Sequence, residues 1–154
     1  MHMNAYGNLV SLSEDKKEPL REWTVTSVAD LGKRLGSCSC GTSIRYLFRI
    51  TNEKNLNTLT LGSTCIKSVT DESWVLDVIT FWLEMEAGTR HQISHHYAKD
   101  TKRLHLLDDF EFKFLLSVGQ KRKLYGKQTE TLDRIKEHVI DRIKCGGYKM
   151  WSDL

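Results

Sequence analysis

No stretch of this 154-residue chain approaches the roughly 18 uninterrupted apolar residues that a membrane-spanning helix needs, so no membrane partner is expected. Met1 to Tyr6 lacks a basic segment followed by an apolar core, which argues against a signal peptide and for a cytoplasmic location. Proline is nearly absent, with Pro19 standing alone. There is no internal repeat and no low-complexity tract. The length then suits one compact domain, or one core with a small appendage. Gly32 and Gly36 are isolated and lead into no Lys-Ser/Thr pair, which excludes a phosphate-binding loop of that kind. No serine sits in a Gly-x-Ser-x-Gly elbow, so that hydrolase signature is also missing.

What is present is ordinary in bulk. Hydrophobic residues make up 40% and charged residues 28%, the balance of a globular protein. A net charge of +3 is too mild to name a partner. Its distribution says more, because Lys121, Arg122 and Lys123 stand together ahead of Lys127, Arg134, Lys136, Arg142 and Lys144. A nucleic-acid surface fits that pattern, and so does a solvated helix face.

Residues 1–20 mix Ser, Asn, Glu, Asp and Lys with few apolar anchors and read as a flexible arm. Residues 21–154 read as a single domain, with a finger and hairpin part over 21–70 and a helical part over 71–154. Trp23 to Val28 alternates and is β-prone. Ile44 to Ile50 and Thr58 to Leu61 are β-rich on either side of turn material, which predicts a hairpin. Tyr46 and Phe48 would then share a buried face with Ile44 and Ile50, leaving Arg45 and Arg49 on the other. Ser63 is positioned to cap a short helix carrying Cys65, Ile66 and Val69. Val75, Val78, Ile79, Trp82, Leu83 and Met85 predict a helix over Asp71 to Ala87, ended by Gly88. Thr89 to Arg103 is polar and reads as a surface loop. Leu104 to Val118 fits two patterns: Phe110, Phe112 and Phe114 alternate as in a strand, while Phe110, Phe114, Leu115 and Val118 share one helix face. The length of the run favours the helix. Leu132, Ile135, Val139 and Ile143 mark a last helix, with Gly146-Gly147 as its stop. The expected class is α+β: a small sheet first, then about three helices.

Four cysteines in a chain expected to be cytoplasmic read as metal ligands or structural thiols before disulfides. Cys38-Ser39-Cys40-Gly41 is a tight turn bearing two thiols and ending in a glycine that permits the turn. Backbone amides at such a turn can stabilise charge on sulfur. The hairpin then returns the chain to Gly62-Ser63-Thr64-Cys65, where a helix N-terminus favours a third thiolate. Zinc is the expected ion.

This order of knuckle, hairpin and helix N-terminus resembles a treble-clef zinc finger. The stretch Trp23 to Ile66 is similar to small phage and large-virus proteins. In those, a Cys-x-Cys-Gly knuckle precedes an Ile, an aromatic strand and an Asn, followed by Gly-Ser-x-Cys-Ile. Leu124 to Ile135, with Lys127-Gln128 ahead of Leu132, resembles a C-terminal helix of the same proteins. There are two departures from the usual finger. The knuckle has one intervening residue, Ser39, instead of two, and Ser68 stands where a second helical ligand is usual. Structural zinc normally takes four Cys or His ligands, so one must come from elsewhere. Cys145 is the simplest candidate, then His105, with His91, His95 and His96 also available. A fourth position held by water would make the ion catalytic only with a general base, and Glu72 is merely a neighbour in sequence.

The leading expectation is therefore a non-enzymatic zinc module, encoded by a phage or other mobile element. It would contact nucleic-acid phosphates through Lys33, Arg34, Arg45, Arg49, Lys121, Arg122 and Lys123. The alternative is an effector that binds and inhibits a host protein in the host cytoplasm. A third reading is a metal-dependent nuclease built on His91, His95, His96 and His105 with Asp100, Asp108 and Asp109, although no His-Glu-x-x-His motif supports it. Cys65 as a nucleophile would need a paired His that sequence does not reveal.

Overall fold

The computed structural model describes residues 5–70 and 73–146, together with the backbone of 148–149. Asp71, Glu72 and Gly147 lie outside the described residues, and with them the expected helix start, the discounted base and half of the glycine stop. The chain separates into two compact units, Met1–Ser73 with Lys144–Leu154, and Trp74–Ile143. The division falls close to the expected boundary at residue 70, although residues 21–154 were expected to form one domain.

In the first unit the sheet runs in the order Thr58–Leu61, Tyr46–Asn52, Trp23–Asp30, Tyr148–Lys149, all antiparallel. Strand β1 is Trp23–Asp30, β4 is Tyr46–Asn52, β5 is Thr58–Leu61 and β6 is Tyr148–Lys149. β1 pairs with β4 from Trp23↔Asn52 to Asp30↔Tyr46, with a bulge between Val25 and Ser27. The expected hairpin is present as β4–β5, in register from Phe48↔Leu61 to Thr51↔Thr58. Period-two alternation drives this part, with Phe48 and Ile50 buried and Arg49 between them exposed. A separate ribbon pairs β2 (Gly36–Ser37) with β3 (Ser43–Ile44). Ile44 therefore belongs to this ribbon and not to β4. Arg45 sits at the break, so it does not share an outer face with Arg49 as expected. Tyr46 is half-buried instead of part of the core.

The N-terminal segment is more ordered than its composition implied. Helix α1 spans Ala5–Ser11 and buries Ala5 and Leu9, and a 3-10 turn follows at Pro19–Glu22. Polar anchors do what apolar residues were too few to do. The Trp23 indole Nε1 donates to Ser13 Oγ at 2.7 Å, and that hydroxyl donates to the Leu9 carbonyl at 2.6 Å. The Glu22 carboxylate is buried and accepts from the Glu14 and Asp15 amides at 2.9 and 2.8 Å and from Asn52 Nδ2 at 2.8 Å. Helix α2 is Ser63–Val69. It packs against α1 and β4.

Helix α3, Ser73–Glu86, leads into the second unit and buries Val75, Leu76, Val78, Ile79, Phe81, Trp82, Leu83 and Met85. Thr89 to Arg103 is not one loop. It contains α4, His95–Arg103, capped by Ser94 Oγ accepting from the Tyr97 amide. α4 was hidden because only Ala98 and Thr101 are buried, so it carries no apolar stripe. Helix α5, Asp109–Val118, opens on an Asp108/Glu111 capping box. The last helix, α6, is Lys127–Lys144 and begins five residues before its apolar stripe. The helical part thus holds four helices among the described residues, one more than expected. None of the described helices is long and apolar enough to cross a membrane.

Candidate metal centre

The knuckle sits at the tip of the β2–β3 ribbon. The Cys38 amide donates to the Thr42 carbonyl at 2.9 Å and the Gly41 amide to the Cys38 carbonyl at 2.8 Å. Closing that turn puts Gly41 at φ +91°, a conformation open to glycine and costly for other residues. The Ser39 amide donates to the Thr60 carbonyl at 2.8 Å, tying the knuckle to β5, and Asn8 Nδ2 reaches the Ser39 carbonyl at 3.3 Å from α1.

The third thiol arrives with the next element. Cys65 lies in the first turn of α2, whose N-cap is Gly62; Ser63 is the first helical residue and makes no cap. The Gly62 amide donates to Cys38 Sγ at 3.4 Å. A Cβ at Gly62 would lie 2.5 Å from Ile44 Cγ2, so a glycine here lets the helix start approach the ribbon. The sulfurs of Cys38, Cys40 and Cys65 all fall within 4.8 Å of one another, with Cys40 and Cys65 3.4 Å apart. Three sulfurs bound to one tetrahedral zinc at about 2.3 Å each would be about 3.8 Å apart, so the cluster is close to that spacing.

The thiols differ in acidity. The Thr42 hydroxyl, 3.2 Å from Cys40 Sγ, and the Thr42 amide, with help from the Cys65 and Cys38 sulfurs, bring Cys40 down to about 6. Burial first, then the neighbouring sulfurs, push Cys65 up to about 12. Burial and the neighbouring sulfurs thus act on Cys65 against the favourable helix N-terminus. Cys65 Sγ lies within hydrogen-bonding distance of Cys40 Sγ, and thiols grouped this closely could hold a metal ion once deprotonated.

No fourth Cys, His or carboxylate joins this cluster among the described residues. Cys145, the favoured fourth ligand, is exposed and stands outside it. Ser68 donates its hydroxyl to the Cys65 carbonyl at 2.6 Å and is thereby occupied. His91, His95, His96 and His105 are all exposed and belong to the second unit. With Asp100, Asp108 and Asp109 they form no second metal-holding group among the described residues. His95 Nε2 meets the Leu116 carbonyl, His96 pairs with Asp100, Lys102 pairs with Asp109, and Asp108 caps α5.

A cavity of about 650 Å³ opens beside the sulfurs, and the three cysteines share its walls with Lys33, Arg34 and Arg45. Lys33 and Arg34 are exposed. Arg45 is already engaged: Nε and Nη2 meet the two Asp30 carboxylate oxygens at 2.7 and 3.0 Å, and its guanidinium lies 5.2 Å from the Tyr46 ring. The Arg45 hydrogen bond also holds the Asp30 carboxyl below the usual range. Arg49 is exposed on β4, and Lys121, Arg122 and Lys123 are exposed in the second unit. Sequence reasoning missed Thr42, Asn8 and Asp30, none of which has a local signature.

Comparison of the chain with protein-family models, curated proteins and solved structures gives no match.

Proposed function

We propose that the chain is a non-enzymatic binding module in which zinc, held by Cys38, Cys40 and Cys65, locks a treble-clef-like knuckle, hairpin and helix start, and that the module contacts nucleic-acid phosphates. The observation that carries this reading is the gathering of three sulfurs within 4.8 Å, contributed by two elements 25 residues apart. When bound, the ion would supply a cross-link between ribbon and helix, and structural zinc sites of small domains are worth about 10 to 16 kcal/mol of apparent binding energy. The chain's own residues do the rest. Gly41 and Gly62 permit the turn and the close approach, Thr42 lowers the pKa of Cys40, and the Gly62 amide donates to Cys38 Sγ.

The nucleic-acid part of the reading is supported by Lys33 and Arg34, two exposed cations on the wall of the same cavity. The test begins with metal content. Protein purified without added chelator should carry one zinc, and Cys65→Ser should lose it. Anisotropy of a labelled oligonucleotide then reads binding. Zinc-free protein that melts at the same temperature with and without metal would end the zinc reading. Oligonucleotide binding that is absent at low salt would end the nucleic-acid reading.

A further inference from the structure

A second cavity, of about 430 Å³, lies wholly within the second unit. Its wall combines two arginines, Arg90 and Arg122, two amides, Gln92 and Gln120, and the aromatic pair Phe81 and Tyr97. The scaffold beneath it is fixed from both sides. The segment before α4 and the segment after α5 are joined by Ile93 N donating to the Gly119 carbonyl at 2.7 Å and by Gln92 Nε2 donating to the Gln120 carbonyl at 2.9 Å. A Cβ at Gly119 would come within 2.7 Å of the Ile93 carbonyl oxygen, so the two segments approach as closely as glycine allows. Phe81 and Tyr97 stack at 4.1 Å with an interplanar angle of 9°, and the Arg90 guanidinium lies 5.4 and 5.7 Å from the two rings. Arg90 is held there by Glu84.

The polar inventory of this wall is unbalanced toward donors. Glu84 offsets the Arg90 charge, but Arg122 is exposed and makes no hydrogen bond or ion pair among the described residues. Gln92 spends one N–H on the Gln120 carbonyl, leaving its carbonyl oxygen and a second N–H. The Gln120 side-chain amide adds both kinds of group. A ligand that satisfies this wall carries an anionic, acceptor-rich group for Arg122 and a flat body with mixed donors and acceptors for the amides and the Tyr97 wall. A volume of this size is within the range of small-ligand sites. We infer that this cavity binds one nucleotide, its phosphate at Arg122 and its base along the Gln92, Gln120 and Tyr97 wall. The choice of a nucleotide over other phosphorylated ligands rests on the nucleic-acid reading above. The nucleotide could be free or one unit of a single strand.

The test uses the zinc-loaded full chain, ¹⁵N-labelled, titrated with a nucleoside 5′-monophosphate, the unphosphorylated nucleoside, inorganic phosphate and a short single-stranded oligonucleotide. The side-chain amide signals of Gln92 and Gln120 should move with the monophosphate. Arg122→Gln should weaken monophosphate binding about tenfold, as loss of one charge-assisted contact implies. Arg122→Lys should restore part of it, and Lys17→Gln, at an exposed cation outside both cavities, should leave it unchanged. Competition between monophosphate and oligonucleotide for the same signals would support strand binding through the pocket. Binding of monophosphate alone would support a free nucleotide. Unmoved Gln92 and Gln120 signals at saturating monophosphate, or equal affinity in wild type and Arg122→Gln, would overturn the inference. Salt-dependent oligonucleotide binding that survives such a result would leave the proposed function standing. Monophosphate binding without any oligonucleotide binding would remove that function and keep the pocket.

Discussion

The salt dependence of oligonucleotide binding is the most demanding test of the proposed phosphate-contacting surface, because its slope counts cations. Seven basic residues were expected to meet phosphates, and the structure removes one from the count. Arg45 is bidentate on Asp30, so turning it to a phosphate would strand a half-buried carboxylate. Six exposed cations remain: Lys33, Arg34 and Arg49 in the first unit, and Lys121, Arg122 and Lys123 in the second. Each neutralised phosphate adds about 0.9 to the log–log slope on duplex and about 0.7 on single strands. If both units engage, slopes of about −5 and −4 are expected. If the first unit acts alone, they fall to about −3 and −2. Anisotropy of a labelled oligonucleotide across about 50 to 300 mM KCl reads these values. Lys33→Gln should reduce the slope by about one unit, whereas Arg45→Gln should leave it unchanged. A flat salt dependence would refute the electrostatic reading. Equal losses from the Lys33 and Arg45 variants would refute the claim that Asp30 holds Arg45 back.

Three further outcomes follow from the packing and the metal site. Glu22→Ala strands two backbone amides and the Asn52 amide, so urea melts should show a loss of about 3 kcal/mol, with little of it from the exposed Lys54. Burial pushes the Glu22 carboxyl up, but hydrogen bonds from Asn52, Asp15 and Glu14 and the charge of Lys54 outweigh it and hold it below its ordinary value. That stability is therefore complete above the unfolded pKa and is lost as pH falls through the lower folded one, and Glu22→Gln should flatten this acid limb. Glu111→Ala should cost about 2 kcal/mol in the second unit, since the carboxylate caps α5 at Asp108 N and pairs with Arg142; melting unchanged by calorimetry would contradict this. Chelation or Cys38→Ser should lower the melting temperature by roughly 10 °C or more, while Cys145→Ser should retain both the ion and the stability. Loss of the ion from Cys145→Ser would restore that cysteine as a ligand.

The elements that sequence revealed were those whose signal is local. Alternation around Phe48 and Ile50 announced a strand, the interval from Asn52 to Asn57 a turn, and the stripe from Leu132 to Ile143 a helix. The elements it concealed are held by other means. α4 is polar nearly all round, and its one clue was Ser94 as a cap, which composition obscured. α1 and the segment after it depend on Ser13, Glu22 and Asn52, polar residues that read as loop until their partners are in place. β6 is two residues long and exists only because β1 lends it an edge.

The sequence by itself determined that Cys38 and Cys40 share a turn and that a hairpin carries the chain on to Cys65. Spacing and turn chemistry are short-range, and no distant residue alters them. Tertiary structure alone decided that the three sulfurs converge within 4.8 Å, that Cys145 stays outside, and that burial sets Cys65 against Cys40 in acidity. It also decided which cations are available, since Asp30 lies 15 residues from Arg45 and meets it only through the pairing of β1 with β4. Distances, desolvation and ion pairing are properties of groups brought together by folding, and they cannot be read from either group alone.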